Sequence, residues 1–189
     1  MKKLFAITIA LLMTVAVCAQ EHLAFKGIPI TGSIESFCKQ LSSKGYKYLG
    51  TKDNIYVFEG LFTGQKATIL VTGSDEGTNV FAVGVVFEAS KEWKILKQTY
   101  EYYKDLYTRK YGEPTASKEY NPATSDSNIA LMAEVHEGTI EYGSGWIVEG
   151  GEIEIYINKT NGIYEGAVVI RYRDTQNVQQ KIESDLEEI

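Results

Sequence analysis

The chain opens on an apolar run, residues 4–17, interrupted only by Thr8 and Thr14 and preceded by Lys2 and Lys3. Beyond residue 20 the pattern breaks into short amphipathic segments. Residues 33–45 carry Ile34, Phe37, Cys38 and Leu41 on one helical face, with Ser33 suited to cap the start and Gly45 to end it. In residues 90–112, Trp93, Leu96, Tyr100, Tyr103 and Tyr107 recur at helical spacing. This predicts a longer amphipathic helix, capped by Ser90 and stopped at Gly112 and Pro114. A last helix, capped by Asp174, is predicted to run to about Leu186, with Val178, Ile182 and Leu186 along one side.

Between the helices the pattern is β-like. Residues 55–58, 67–72, 80–88, 130–135, 151–158 and 166–173 read as strands, and 139–148 adds another, bent at Gly143 and Gly145. In 151–158, Ile153, Ile155 and Ile157 alternate with Glu152, Glu154 and Tyr156, as in a strand with one wet face. Residues 80–88 are apolar on both faces, as in a central strand buried on both sides or nearly so. Residues 116–128 are polar and read as a mobile loop, and residues 21–31 as an N-terminal arm.

The order is helix, strands, helix, strands. Each half has a helix ending at a glycine, a glycine-punctuated aromatic segment (Phe58 to Phe62; Tyr142 to Trp146), a β-branched strand, a polar turn and a Val-rich strand. This parallel predicts a tandem α-β-β-β repeat, with units at about 23–89 and 90–189. Consecutive strands imply an α+β fold, an antiparallel sheet with helices on one face.

The apolar run changes the picture of location. A basic start, a short apolar stretch and the segment Val17-Cys18-Ala19 match a secretory signal, residues 1–19, cut after Ala19; the run is too short to span a bilayer. The mature chain, 20–189, is then a single exported domain, periplasmic or secreted. The alternative is a lipoprotein anchored at Cys18, but that signal takes Gly, Ala or Ser where Val17 stands. Without Lys2 and Lys3 the basic count falls from 19 to 17 against 25 acids, a net charge of −8. That balance argues against nucleic acid as a partner, and no second apolar run is long enough for an integral membrane span. Cys38 is left alone, so no intramolecular disulfide forms, and its helical face predicts a buried structural thiol.

The helix closing in Tyr111-Gly112-Glu113-Pro114, the duplicated helix-then-strands order and the ending Ile170-Arg-Tyr-Arg-Asp174 followed by a helix together resemble a β-lactamase-inhibitor-protein-like fold. That fold is built from tandem α+β repeats in small secreted or periplasmic bacterial proteins. The early segment Phe25-Lys-Gly-Ile-Pro-Ile30 is also similar to one in a family of uncharacterised secreted proteins. The resemblance implies an architecture that hosts inhibitors and envelope-assembly factors alike, and it transfers no contact residue.

Catalytic signals are sparse. Gly143-Ser144-Gly145 is no nucleophile elbow, Cys38 has no base beside it in sequence, and no phosphate loop is present. Glu134 and His136 would share a face of a strand, two metal ligands where a site needs three or four. His22 reads as exposed and incidental. Glu134, Glu141, Glu149, Glu152 and Glu154 are carboxylates that a glycan-directed hydrolase could pair, or simply solubilising charges. No cofactor or metal is expected. The unusual feature is 13 tyrosines and two tryptophans. Tyr142, Trp146 and Tyr156 are the candidate binding surface, expected to cluster on the wet side of the sheet, with Tyr56 and Tyr164 as further exposed aromatics. The leading expectation is a non-enzymatic binding or inhibitor-like module for an envelope protein or surface polymer; the alternatives are the hydrolase and a structural envelope-assembly component.

Overall fold

The computed structural model describes residues 22–189 apart from Asp75 and Glu188, so the expected signal and Cys18 lie outside the described residues. A short hairpin comes first, β1 (Ala24–Phe25) and β2 (Ile28–Pro29). Next come α1 (Ile34–Ser43), the strands β3 (Lys47–Lys52), β4 (Ile55–Phe62), β5 (Gln65–Gly73) and β6 (Val80–Phe87), and α2 (Trp93–Tyr111). The rest is β7 (Ala116–Tyr120), α3 (Asn128–Glu137), β8 (Glu141–Val148), β9 (Gly151–Lys159), β10 (Gly166–Asp174) and α4 (Thr175–Glu187).

Eight strands form one sheet in the order β3-β4-β5-β6-β10-β9-β8-β7, and neighbours are antiparallel throughout. The α+β class and the antiparallel sheet therefore stand. Each half of the sheet is four strands adjacent in sequence order, one more than the expected α-β-β-β unit, with α3 inserted between β7 and β8 in the second, and the halves join where β6 pairs β10.

The register explains which side chains are buried. Phe58, Ile69, Val85, Ile170, Ile155 and Ser144 lie opposite one another across successive strands, on the face that α1, α2 and α3 cover. Phe37 and Leu41 of α1 and Leu96, Tyr100 and Tyr103 of α2 complete a single core. Each such apolar side chain taken out of water stabilises the fold by about 1.5–3 kcal/mol. Among the described residues no helix is long and apolar enough to cross a membrane.

Several expectations need correction. Residues 130–135 are not a strand but the middle of α3. Ser127 accepts the Ala130 N–H at 3.3 Å, and Gly138 ends the helix in the left-handed conformation. A short apolar run reads equally as strand or buried helix; here Met132 and Val135, three apart, are the buried pair. Residues 116–128 are not one loop, because 116–120 form the edge strand β7. The edge strand β3 also escaped the hydrophobic pattern, since most of its residues are exposed. Strand β6 is buried on one face, at Val83, Val85 and Phe87, and half-buried on the other, at Ala82, Gly84 and Val86. Ser90 does not cap α2 directly. It accepts from Glu92 at 3.0 Å, and the first helical N–H, that of Trp93, is taken by Asn128 at the start of α3 at 2.8 Å.

Candidate functional site

The second half of α2, the first hairpin, the β4–β5 turn and the β8–β9 turn surround a cleft of about 830 Å³. Its walls are aromatic: Phe62, Tyr103, Tyr107, Tyr111 and Tyr172, with Leu106 among them. On α2, Tyr103, Tyr107 and Tyr111 stand four residues apart, so one side of the helix supplies three rings. Phe62 and Tyr172 come from the covered face of the sheet. Phe25 holds both, stacked on Phe62 at 5.9 Å and edge-on to Tyr172 at 5.3 Å between ring centroids.

Two hydroxyls meet in this wall. Tyr107 and Tyr172 hydrogen-bond to each other, and burial pushes both phenols above the usual tyrosine range. One of the pair donates and the other accepts. The accepting hydroxyl keeps its own proton, for which no acceptor stands among the described residues. A buried donor gains from an oxygen placed against it. Tyr103 is satisfied by Thr63 Oγ1 at 2.6 Å.

The turns at the cleft are unusual. Phe25 pairs with Ile28, and the two residues between them, Lys26 and Gly27, both have positive φ, 53° and 74°. Phe62 pairs with Gln65 around Thr63 and Gly64, at 49° and 85°. Both are two-residue turns of the type that favours Asn, Asp or Gly at its first position. Away from the cleft, the β3–β4 turn obeys that preference with Asp53 and Asn54. At the cleft, Lys26 and the β-branched Thr63 take the left-handed conformation at a local cost. Lys26 Nζ thereby lies 5.1 Å from the Phe62 ring centre, and across the cleft wall Lys110 Nζ lies 4.7 Å from that of Tyr111.

The expected aromatic surface is not assembled. Trp146 pairs with Ile153, which puts it on the covered face, 2% exposed, its Nε1–H donating to Gly112 O at 2.9 Å. Tyr142 shares that face and meets Trp93 and Tyr100 edge-on at 5.0 and 5.5 Å. Tyr156 alone lies on the open face, beside Gly143, with the Arg171 guanidinium 5.6 Å from its ring centre. The thickness of the sheet separates it from the other two. Tyr56 is partly buried against the core, and Tyr164 is exposed beside His136.

Four of the five candidate carboxylates have a cation or hydroxyl partner, and Glu149 stands on the rim of the cleft. On the open face Glu154 pairs with Arg171 and Arg173, and Glu152 with Arg173 at 3.0 Å. Glu141 pairs with Lys118, and Glu134 accepts from Thr139. Glu134 and His136 sit two apart on a helix, so they do not share a face. Among the described residues no three His, Cys, Asp or Glu side chains are placed to hold a metal. His22 is not incidental: its Nδ1 lies 3.0 Å from Asp174 Oδ2, at the edge of the cleft. Cys38 is half-buried against the core, and burial pushes its thiol up to about 11.

Sequence reasoning assigned Tyr103 and Tyr107 to the core stripe and missed that they also wall a cleft. The legible signal was Lys26-Gly27 and Thr63-Gly64, turn dipeptides with an ill-suited first residue. Compared with protein-family models, with curated proteins and with solved structures, the chain matches none of them.

Proposed function

We propose that this chain is a non-enzymatic binding module that works outside the cytoplasm and holds its ligand in the aromatic cleft between α2 and the first hairpin. One observation carries the reading. Two of the three turns bordering the cleft, at Lys26 and at Thr63, keep a non-glycine residue in the left-handed conformation, and such strain is retained where surrounding structure has a use for it. The cleft's volume, about 830 Å³, falls in the range of small-molecule sites, and its walls combine apolar rings with a few polar groups. The hydrolase alternative draws less support, since Glu152 and Glu154, the facing carboxylates of the open sheet, are neutralised by arginines.

We further infer export with Gln20 as the first mature residue, and descent of the two halves from one repeated unit in the manner of β-lactamase-inhibitor-protein-like folds. What supports that origin is the sheet order, four sequence-ordered strands on either side of the β6–β10 pair with a helix before each set; the units have four strands each, not three, and α3 interrupts the second between β7 and β8.

The test is native mass spectrometry of protein purified from the producing cell without detergent. The expected result is a non-covalent mass on the wild type that is lost from Leu106→Trp, which fills the cleft. An identical adduct on both proteins, or no adduct on protein dialysed against its own cell extract, overturns the reading.

A further inference from the structure

We propose that the cleft's ligand is an anionic amphiphile: an apolar body of acyl-chain or aromatic type carrying one carboxylate or comparable acid group, which binds at Lys26 and Lys110. The inference rests on the cleft being the binding site and goes on to its chemistry.

The charge pattern points this way. The chain is acidic, with 25 acids against 19 basic residues. Eight of its other lysines and arginines are paired with carboxylates: Lys47, Lys97, Lys104, Arg109, Lys118, Arg171, Arg173 and Lys181. Nine described lysines have no carboxylate within ion-pair distance among the described residues, and Lys26 and Lys110 are the two of them that line the cleft. Each of these two instead lies over an aromatic ring of the cleft wall. The opposing charges nearby are Asp174, which faces His22, and Glu149 on the rim. Asp174 is fully buried, so the solvent-facing charges of the mouth are the ammonium groups of Lys26 and Lys110 and the carboxylate of Glu149. An acid group arriving there is attracted locally, more strongly at low salt.

The remaining surfaces fit the other end of such a ligand. Phe62, Tyr107, Tyr111 and Leu106 offer an apolar bed, and the spare proton of the Tyr107–Tyr172 pair offers a hydrogen bond to an oxygen of the ligand. A neutral sugar would leave both lysines unused. A cationic ligand would meet them as like charges.

Lys26 also permits a test that separates binding from folding. Asn is the favoured residue at its turn position, so Lys26→Asn relieves the backbone while deleting the charge. The experiment is isothermal titration of the full mature chain with decanoate, decanol, decyltrimethylammonium and 1-naphthoate, each below its aggregation concentration, at low and at physiological salt. The expected result is one-to-one binding of decanoate or 1-naphthoate, with the two arms telling an acyl from an aromatic body. Decanol should bind at least tenfold more weakly and the cation not at all. Lys26→Asn and Lys110→Gln should each weaken anion binding about tenfold and flatten its salt dependence, with Lys26→Asn melting at or above the wild-type temperature. Equal affinity for decanoate and decanol, or unchanged anion binding by both lysine variants, overturns the anionic class while leaving the cleft as the site. Anion binding that survives Leu106→Trp overturns the cleft as well. Failure of every probe to bind overturns the proposal.

Discussion

Asp174 Oδ2 accepts the backbone N–H of Leu23 at 2.9 Å, tying the start of the first hairpin to the end of the last strand across 151 residues. The same carboxylate caps α4, since its Oδ1 accepts from the Asn177 N–H at 2.9 Å, and its Oδ2 also meets His22. Asp174 is fully buried, so removing it strands donors that water cannot reach. Asp174→Ala is expected to cost about 3 kcal/mol, the sum of a lost cap and an unsatisfied buried N–H, and denaturant midpoints measure it. Because this carboxylate anchors the hairpin that carries Lys26, ligand affinity should fall beyond the loss of folded fraction.

Trp146 and Tyr156 report the two faces of the sheet. Trp146→Ala empties a core position and should cost about 3–5 kcal/mol. Tyr156→Ala, on the open face, should cost under about 1 kcal/mol. Equal midpoint shifts for the two variants would contradict the register that places them on opposite sides.

That register marks the boundary of what the chain alone discloses. Alternation within β9 separates Ile153, Ile155 and Ile157 from Tyr156, and this holds in the structure. Which face of β8 Trp146 joins depends on its pairing with Ile153, a relation between strands that a single strand's pattern does not contain. The same limit hid the cleft, whose walls come from β4, α2 and β10, and whose turns are strained only by local rules that ignore what lies across from them. The helix α3 was missed for a different reason: its short apolar run suits either secondary structure, and only its caps, Ser127 and Gly138, decide. Edge strands β3 and β7 have little burial to leave a pattern.

Gly60 marks a close approach. A Cβ built there would stand 2.5 Å from the Tyr46 ring, which covers the strand and donates its hydroxyl to Leu61 O at 3.2 Å. Gly60→Ala must push that ring aside and should cost about 1–3 kcal/mol. Adding Tyr46→Ala to Gly60→Ala should cost less than the two single effects together, since the clash is then gone. A thermal denaturation series of the four proteins checks this.

Cys38 should react slowly with thiol reagents in the native protein. Its thiol rises from 9.0 to about 11, so the thiolate fraction near neutral pH falls roughly a hundredfold, and the thiolate is the reacting form. Labelling should become fast on unfolding. Equally fast labelling of the native protein would show the thiol to be open to solvent.

The tyrosines set the alkaline limit of the fold. Burial raises the phenols of Tyr46, Tyr103, Tyr107 and Tyr172 above the ordinary value of 10.0, and pushes Tyr100 up to about 12. The folded state therefore holds these protons where the unfolded chain would release them. Stability from this source is fully present below pH 10 and is lost as pH rises through the folded-state values. Each group that the unfolded chain has ionised and the fold has not steepens the decline by about 1.4 kcal/mol per pH unit. Phenolate absorbance from this buried set should consequently rise only together with loss of tertiary structure. Tyr107→Phe/Tyr172→Phe removes two of the phenols at the cleft and should make the alkaline decline shallower by up to two protons. An unchanged slope would mean that these hydroxyls ionise within the folded protein, reached by solvent through the cleft.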